Sequence, residues 1–169
     1  AESLETISEN LNEIKPEFMT AVPRLLEKLF DKIIAKGELL TGIKKKLFDW
    51  AVGLGLRYEP YGKNGWWYEF QLKIARKLIF KKWQEALGGN LTTIASGSAA
   101  LQPRLARVFT AAGMTVAEGY GLTETSPVIS VNDMRNFQMK IGSVGPLLDD
   151  VEVKIAKDGE ILCKGPNIM

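Results

Sequence analysis

The chain has 169 residues, of which 46% are hydrophobic and 25% charged, and its formal net charge is +2. This balance argues against disorder, and the small net charge gives no indication of a nucleic-acid partner. The absence of histidine excludes histidine-dependent triads, imidazole acid–base catalysis and most zinc sites. The single cysteine, Cys163, cannot form an internal disulfide. We therefore expect a soluble cytoplasmic protein.

The sequence begins within a predicted helix and ends just after a predicted turn. The chain begins at Ala1 inside a helical repeat, and it stops at "CKGPNIM", just after a Gly-Pro turn. The acidic start resembles neither a signal peptide nor a transit peptide. We expect a piece of a longer protein, and nothing in the sequence specifies an oligomeric state.

Residues 1–90 are predicted to be mainly helical. In "SLETISENLNEIKP", apolar residues recur at helical spacing, with Ser3 as the N-cap and Pro16 as the stop. "EFMTAVP" predicts a short strand that ends at Pro23, and "RLLEKLFDKIIAKG" predicts a helix closed by Gly37. A third helix lies in "ELLTGIKKKLFDWAVGLGL". Its predicted apolar stripe consists of Leu40, Ile43, Leu47, Trp50 and Leu54.

A long basic and aromatic helix is predicted in "WWYEFQLKIARKLIFKKWQEALGG", ended by Gly88 and Gly89. Residues 61–88 contain six basic and two acidic side chains, interleaved with tryptophans. Such a helix is typical either of a membrane interface or of a scaffold that buries its aromatic side chains. We favour the scaffold, which predicts that Trp66, Trp67 and Trp83 point inward, and keep peripheral membrane contact through 66–88 as the alternative.

From residue 91 the pattern changes to strands alternating with one helix. "LTTIASG" predicts a buried strand, "LQPRLARVFTAAG" a helix with Pro103 in its first turn and Gly113 past its end, and "MTVAEGYG" the next strand. "PVISVN" is a further strand, and "VEVKIAKDGEILCKG" alternates around a turn at Asp158-Gly159. The fold class is therefore α/β, with a parallel-stranded sheet layered with helices and a C-terminal β-hairpin region.

Two predicted strands end in glycine-rich loops that could hold a ligand. Ligands bind outside the carboxyl ends of parallel strands, which here lead into "ASGSAA" and "EGYGLTE". Tyr120 supplies an aromatic ring, Thr123 a hydroxyl and Glu124 a carboxylate, a set that suits a purine, a phosphate and Mg²⁺. The alternative is an ordinary turn with a capping threonine and glutamate.

Four ordered motifs resemble the adenylate-forming, or AMP-binding, superfamily, which includes acyl-CoA synthetases. "EGYGLTETSP" resembles its signature, and "TIASGSAALQP" its adenine-binding segment. "IGSVGPLLDDVEVKI" and "DGEILCKGPNIM" resemble two later blocks, and "FMTAVPRLLEKLF" resembles the gate region of the long-chain fatty-acid branch. The resemblance covers nearly the whole chain. It implies part of the large N-terminal domain, with 1–90 on the acyl-gate side, 91–140 binding adenine and phosphate, and 141–169 rich in strands.

The resemblance implies activation of a long-chain fatty acid with ATP and Mg²⁺, followed by transfer of the acyl group to coenzyme A. It assigns Gly97, Ser98 and Ala99 to the adenine pocket and Tyr120 to stacking on adenine. Thr123 would bind a phosphate oxygen and Glu124 would bind Mg²⁺, which makes these two the expected catalytic residues. The family often has glutamine at the position of Glu118.

Substrate-binding residues are implied in two places. Gly119 and Gly121 would border the acyl carboxylate, where a side chain would obstruct the reacting centre. Val22, Pro23 and Leu26 would border the acyl tunnel, although the tryptophan frequent in that gate is missing here. The alternative for these three is an ordinary helix start packed in a core.

Other parts of the family's active site are not found in this sequence. They are its phosphate loop, its ribose-binding aspartate and its mobile C-terminal domain with a catalytic lysine. We therefore expect the isolated chain to be inactive. Alternatives to the fatty-acid ligase are a ligase for a shorter or aromatic acid and a non-catalytic nucleotide-binding or scaffold domain.

Overall fold

A computed structural model describes residues 6–134 and 138–169. The helices are α1 (Ile7–Ile14), α2 (Pro23–Glu38), α3 (Gly42–Leu56), α4 (Trp66–Ala75), α5 (Lys81–Ala86) and α6 (Pro103–Ala111). The strands are β1 (Phe18–Ala21), β2 (Thr93–Ser96), β3 (Thr115–Tyr120), β4 (Ser130–Val131), β5 (Glu152–Ile155) and β6 (Ile161–Lys164). Ser3, the predicted N-cap, lies outside the described residues.

The main sheet has the order β1-β2-β3-β4. Strands β1, β2 and β3 are parallel, and β4 pairs with β3 in the antiparallel sense. Strands β5 and β6 form a separate antiparallel pair. These two sheets confirm the predicted α/β class and the predicted C-terminal hairpin.

The core lies between the sheet and the helices that connect its strands. Ile94 of β2 and Val116 of β3 are buried, as are Phe109 of α6 and Leu54 of α3. Helix α6 connects β2 to β3 and packs against both β3 and α3. Neighbouring parallel strands require a crossover connection, which here contains α6. Its consequence here is that the loops after β2 and β3 lie side by side.

The predicted end of α2 is wrong, and the predicted apolar stripe of α3 is confirmed for Leu54 but wrong for Ile43. Helix α2 continues through Gly37 to Glu38, and the buried face of α3 comprises Phe48, Ala51, Leu54 and Gly55, while Ile43 is 75% exposed. The reason is one contact, because a β-carbon on Gly37 would overlap the ring of Phe48. Gly37 is therefore a packing site for that ring rather than a helix end.

The long aromatic helix forms as predicted but packs differently. Helices α4 and α5 are joined by a π-helical segment, Arg76–Phe80, without a break in the chain direction. Trp83 is buried, with its ring centroid 5.0 Å from that of Phe80. Trp66 and Trp67 are 80% and 58% exposed, so the prediction of inward tryptophans is wrong for these two.

The exposure of the two tryptophans follows from which side of α4 faces the core. Its buried residues are Tyr68, Leu72 and Ala75, spaced at helical intervals. The Tyr68 hydroxyl donates to the Leu54 carbonyl oxygen at 2.7 Å, which fixes this face against α3. Burial raises the pKa of Tyr68 above its usual value. Within residues 6–134 and 138–169, no helix has the length and apolar character needed to cross a bilayer.

Candidate active site

The carboxyl ends of β1, β2 and β3 meet at one edge of the sheet. Ala21, Ser96 and Glu118 lie next to one another in register, so the loops that follow them emerge together. A β-carbon on Gly97 would come within 3.9 Å of the Gly119 carbonyl oxygen. The structure therefore places Gly97 beside Gly119, so the two loops expected to bind a nucleotide begin next to each other.

Glu118 determines the shape of the first of these loops. Its side chain is 7% exposed, and its Oε1 accepts a hydrogen bond from the Leu101 backbone N–H at 2.9 Å. The bond closes the loop from Gly97 to Ala100 against β3, and within it Ser98 has a φ of +71°. Sequence reasoning missed this role. The available signal was the position of Glu118 two residues after the buried Val116, which places both on the inward face of the strand.

Replacing Glu118 by alanine is expected to destabilise the fold, whereas glutamine is expected to be tolerated. Alanine leaves the buried Leu101 N–H without an acceptor, which costs about 1–3 kcal/mol, but a glutamine side-chain oxygen can still accept that bond. Chemical denaturation monitored by circular dichroism measures both variants. Equal stability of the two would contradict this role for the Glu118 carboxylate.

The second loop contains a short 3-10 helix, Thr123–Thr125. The Thr125 hydroxyl accepts from the Leu122 N–H and donates to the Leu122 carbonyl oxygen, both at 2.9 Å. Thr125 therefore stabilises the turn, and Thr123 and Glu124 are left with exposed side chains. A threonine therefore caps this turn, as the ordinary-turn alternative predicted, and that threonine is Thr125 rather than Thr123. Thr123 and Glu124 are free to contact a ligand.

The glycines of this loop have internal packing reasons that the sequence did not indicate. A β-carbon on Gly121 would overlap the Pro127 carbonyl oxygen and lie 2.8 Å from the Val128 Cα. At Gly119 it would lie 3.3 Å from the Ser130 carbonyl oxygen. Both positions therefore favour glycine even without a ligand. Contact of Gly119 and Gly121 with an acyl carboxylate stays a prediction.

The C-terminal residues hold the same loop from outside. The Asn167 side-chain amide donates to the carbonyl oxygens of Thr125 and Val128 at 3.0 and 2.9 Å. The Met169 N–H donates to the Glu124 carbonyl oxygen at 3.0 Å. These contacts position the backbone of Glu124. They also join two segments that each resemble a family motif, and the bonded residues are 42 and 39 positions apart in the sequence. No local pattern could have indicated this pairing.

The predicted gate residues lie at the start of α2, next to the same edge. Val22 is the N-cap, Pro23 is the first helical residue, and Leu26 is 0% exposed. The Leu26 side chain therefore packs in the described core. Its contact with an acyl chain, like the roles of Val22 and Pro23, stays a prediction.

The side chains present fit Mg²⁺ only together with phosphate oxygens. In the described part of the chain, no group of three or more acidic, cysteine or histidine side chains could hold a metal ion. Glu124 offers a single exposed carboxylate at the ligand edge. Mg²⁺ commonly uses one or two carboxylates and takes its remaining ligands from water and substrate phosphates. Glu124 could therefore hold a metal ion that arrives with a nucleotide.

The family of the chain is decided by comparison with known proteins. The family described as AMP-binding enzyme matches residues 2–169. The chain belongs to the AMP-binding enzyme family. The two loops at the carboxyl edge are thus part of an AMP-binding fold, and the predicted family is confirmed.

A curated relative in this family is the long-chain-fatty-acid–CoA ligase FadD15 of Mycobacterium bovis. The identity is 31% over 157 residues, which cover 89% of this chain and 25% of the relative. The chain thus spans about a quarter of the length of that AMP-binding enzyme.

Two solved structures show the same fold. One is the long-chain-fatty-acid-CoA ligase FadD1 from Archaeoglobus fulgidus, with a TM-score of 0.57 and 19% identity, covering 98% of this chain and 28% of that one. The other is the o-succinylbenzoate coenzyme A synthetase MenE from Bacillus subtilis in complex with ATP and magnesium ion. Its TM-score is 0.54 at 20% identity, and the match covers 99% of this chain and 26% of that one. A ligase named for long-chain fatty acids and a synthetase named for o-succinylbenzoate are therefore both similar to this chain in fold.

Proposed function

We propose that the full-length protein containing this chain is an ATP-dependent long-chain fatty-acid–CoA ligase. The observation that carries the proposal is the 31% identity to a long-chain-fatty-acid–CoA ligase over 89% of the chain. It is supported by the two adjacent loops at the carboxyl edge, since Gly97 lies against Gly119, the residue that precedes Tyr120. ATP, Mg²⁺, a fatty acid and coenzyme A are the expected substrates and cofactors.

The chemistry requires positioning more than a reactive side chain. A fatty-acid carboxylate oxygen attacks the α-phosphorus of ATP, the bond to pyrophosphate breaks, and an acyl-adenylate forms. A coenzyme A thiol then replaces AMP. Catalysis of such a displacement rests on alignment and on stabilising charge at the phosphate oxygens, for which Thr123 and Glu124 are the exposed candidates. The lack of histidine is compatible with this reaction.

The identity of the carboxylic acid substrate can be tested directly. Purified full-length protein is incubated with ATP, Mg²⁺ and a series of acids, and exchange of labelled pyrophosphate into ATP is followed. Palmitate is expected to support far more exchange than octanoate or benzoate. Greater exchange with benzoate would assign the protein to an aromatic acid, and no exchange with any acid would favour a nucleotide-binding or scaffold role.

Replacing Tyr120 by alanine is expected to weaken ATP binding more than it slows turnover. Stacking of an aromatic ring on a base contributes about 1–3 kcal/mol, which corresponds to roughly a fivefold to 150-fold loss of affinity. Calorimetry with a non-hydrolysable ATP analogue measures this loss in the full-length protein. Because Tyr120 is half-buried, its thermal stability is measured in parallel. Unchanged nucleotide affinity with a large loss of turnover would contradict stacking.

A second proposal concerns the exposed face of the aromatic helix, which we infer lies on an anionic membrane surface. Trp66, Trp67, Phe70, Ile74 and Leu78 are all exposed, and the rings of Trp67 and Phe70 are stacked with centroids 5.7 Å apart. Lys73, Lys77 and Lys81 recur every fourth residue and are exposed on the same helical segment. Tryptophan with flanking lysines suits the interface of a bilayer with negative head groups. Such a position would bring the protein to membrane-partitioned fatty acids.

Replacing both Trp66 and Trp67 by alanine is expected to reduce binding to vesicles that contain phosphatidylglycerol by at least roughly tenfold, because each ring removes a large apolar area from water. Co-sedimentation of the full-length protein with vesicles measures this loss. The matched control is Ile14→Ala, an exposed apolar residue on α1. Equal binding of the double variant and the wild type would contradict contact of this face with the membrane, and binding that is insensitive to salt would contradict the role of the lysines.

A further inference from the structure

A cavity between the helices lies away from the edge of the sheet that is expected to bind a nucleotide. Its volume is about 560 Å³, within the range of roughly 300–1,000 Å³ usual for small-molecule sites. Its apolar lining includes Leu29, Ile33, Phe48, Leu78, Ile79 and Leu87. These residues come from α2, α3 and the segment that runs from α4 through α5.

The position of the cavity follows from chain connections at the opposite edge of the sheet. Asn12 lies in α1, which leads into the start of β1, and Ala86 and Leu87 lead into the start of β2. The Asn12 side-chain amide donates to the Ala86 carbonyl oxygen at 3.3 Å, so these two segments meet at the cavity wall. Lys36 lies thirteen residues after Pro23 in α2, which places it about 20 Å along the helix from the carboxyl edge. Of the loops at that edge, none contributes a residue to the cavity lining.

The charge around the cavity has one sign. Lys32, Lys36, Lys44 and Lys82 line it, and no aspartate or glutamate of the described part of the chain belongs to the lining. Within residues 6–134 and 138–169, none of these four lysines forms an ion pair. Other lysines of the same helices do find acidic partners, as Lys45 does with Asp49 and Lys81 with Glu85. Four unneutralised ammonium groups at an apolar cavity are complementary to an anionic head group joined to an aliphatic chain.

We propose that this cavity binds a free long-chain carboxylate as a second, non-reacting site. The aliphatic chain would fill the space between Ile33, Phe48 and Ile79, and the carboxylate would lie among the lysines at the rim. Burial of a methylene chain gives the affinity, and the lysines select an anion over a neutral chain of the same length. No bond changes at this site. The inference does not depend on the ligase activity, because it rests on cavity shape and charge alone.

Photo-crosslinking of the full-length protein tests the site directly. The probe is hexadecane sulfonate with a diazirine at the chain end, which keeps the charge and the chain but lacks a carboxylate that ATP could activate. Peptides that contain Ile33, Phe48 or Ile79 are expected to be labelled. Excess palmitate is expected to suppress this labelling and hexadecanol to leave it.

Lysine variants distinguish recognition of the anionic head group from nonspecific hydrophobic binding. Replacing Lys36 and Lys44 together by glutamine is expected to weaken palmitate competition roughly fivefold at low salt, as for two partly exposed charge contacts. The matched control is Lys28→Gln with Lys46→Gln, on the same two helices but outside the lining, and it is expected to behave as wild type. Ile33→Trp is expected to abolish labelling by filling the cavity, and its thermal melt checks that it folds.

Several outcomes would overturn the proposal. Labelling confined to peptides with Val22–Leu26 or Gly119–Glu124 would place the ligand at the carboxyl edge. If hexadecanol suppresses labelling as well as palmitate does, or if the control pair weakens palmitate competition as much as the test pair, the lysines do not select an anionic ligand. Labelling by a phospholipid probe in vesicles but not by the free sulfonate would assign the cavity to a bilayer lipid. Absence of all cavity labelling would show that another part of the full-length protein covers it.

Discussion

Glu124→Gln in the full-length protein is expected to lower pyrophosphate exchange by on the order of a hundredfold to a thousandfold, the range for losing one group that stabilises charge in a transition state. The carboxylate is the exposed candidate for holding Mg²⁺ against the phosphates, and an amide oxygen is a weaker ligand for that ion. The fold is expected to be unchanged because the Glu124 contact with Met169 uses the backbone carbonyl oxygen rather than the side chain.

The control for this experiment is an equally exposed carboxylate elsewhere. Glu160 lies beside the turn of the β5–β6 hairpin, and Glu160→Gln is expected to leave exchange unchanged. Raising the Mg²⁺ concentration should restore part of the activity of Glu124→Gln if the loss is one of metal affinity. Near-normal exchange in Glu124→Gln would remove the metal role from this residue.

Gly121→Ala is expected to lose both stability and adenylation, whereas Gly97→Ala is expected to keep its stability. At Gly121 the new methyl group would overlap the Pro127 carbonyl oxygen and lie 2.7 Å from the carbonyl carbon, and backbone atoms cannot rotate away as a side chain can. Overpacking of this kind costs about 1–3 kcal/mol, and more where backbone must move. At Gly97 the methyl group would have its nearest neighbour at 3.9 Å, an ordinary contact.

The pair of glycine variants separates packing from ligand binding. Thermal unfolding and ATP-analogue calorimetry are measured for both. If Gly97 lines the adenine pocket as proposed, Gly97→Ala weakens nucleotide binding while its melting temperature stays that of the wild type. A wild-type melting temperature for Gly121→Ala would show that the loop from Gly121 to Pro127 can move without cost, which would contradict the packing described above.

Elements with local sequence signals could be predicted before the structure was known. The β2-α6-β3 unit was predicted from a buried strand, Pro103 in the first helical turn and Gly113 past its end, and the structure confirms it with Gly113 at a φ of +92°. The β5–β6 hairpin followed from the Asp158-Gly159 turn. The parallel pairing of β2 and β3 followed from the helix between them, whereas the pairing of β1 with β2 was not predicted. Because strand ends in such a sheet share an edge, the two loops expected to bind a nucleotide could also be predicted to meet.

Tertiary structure alone decided which side of a helix is buried when both sides carry apolar residues. In α3, Phe48 and Ala51 face the core because the Phe48 ring fits over Gly37, and no periodicity within α3 contains information about Gly37. In α4, Tyr68 and Leu72 take the buried side, which leaves Trp66 and Trp67 exposed. Hydrophobic patterns specify that a face is apolar, but the partner surface determines which of two apolar faces it accepts.

Long-range polar contacts were likewise decided by the fold. The Glu118 bond to the Leu101 N–H spans 17 residues, and the Asn167 bonds to Thr125 and Val128 span 42 and 39. Each satisfies a backbone group whose local neighbours offer no partner, and the requirement to pair buried polar groups becomes visible when the chain is folded. The cavity between α2, α3 and α5 was likewise not predictable from local sequence, because its four lysines come from three helices that are separate in sequence. The glycine-rich loops at the carboxyl edge could be predicted from motifs, whereas the contacts that hold them and the cavity between α2, α3 and α5 required the three-dimensional arrangement.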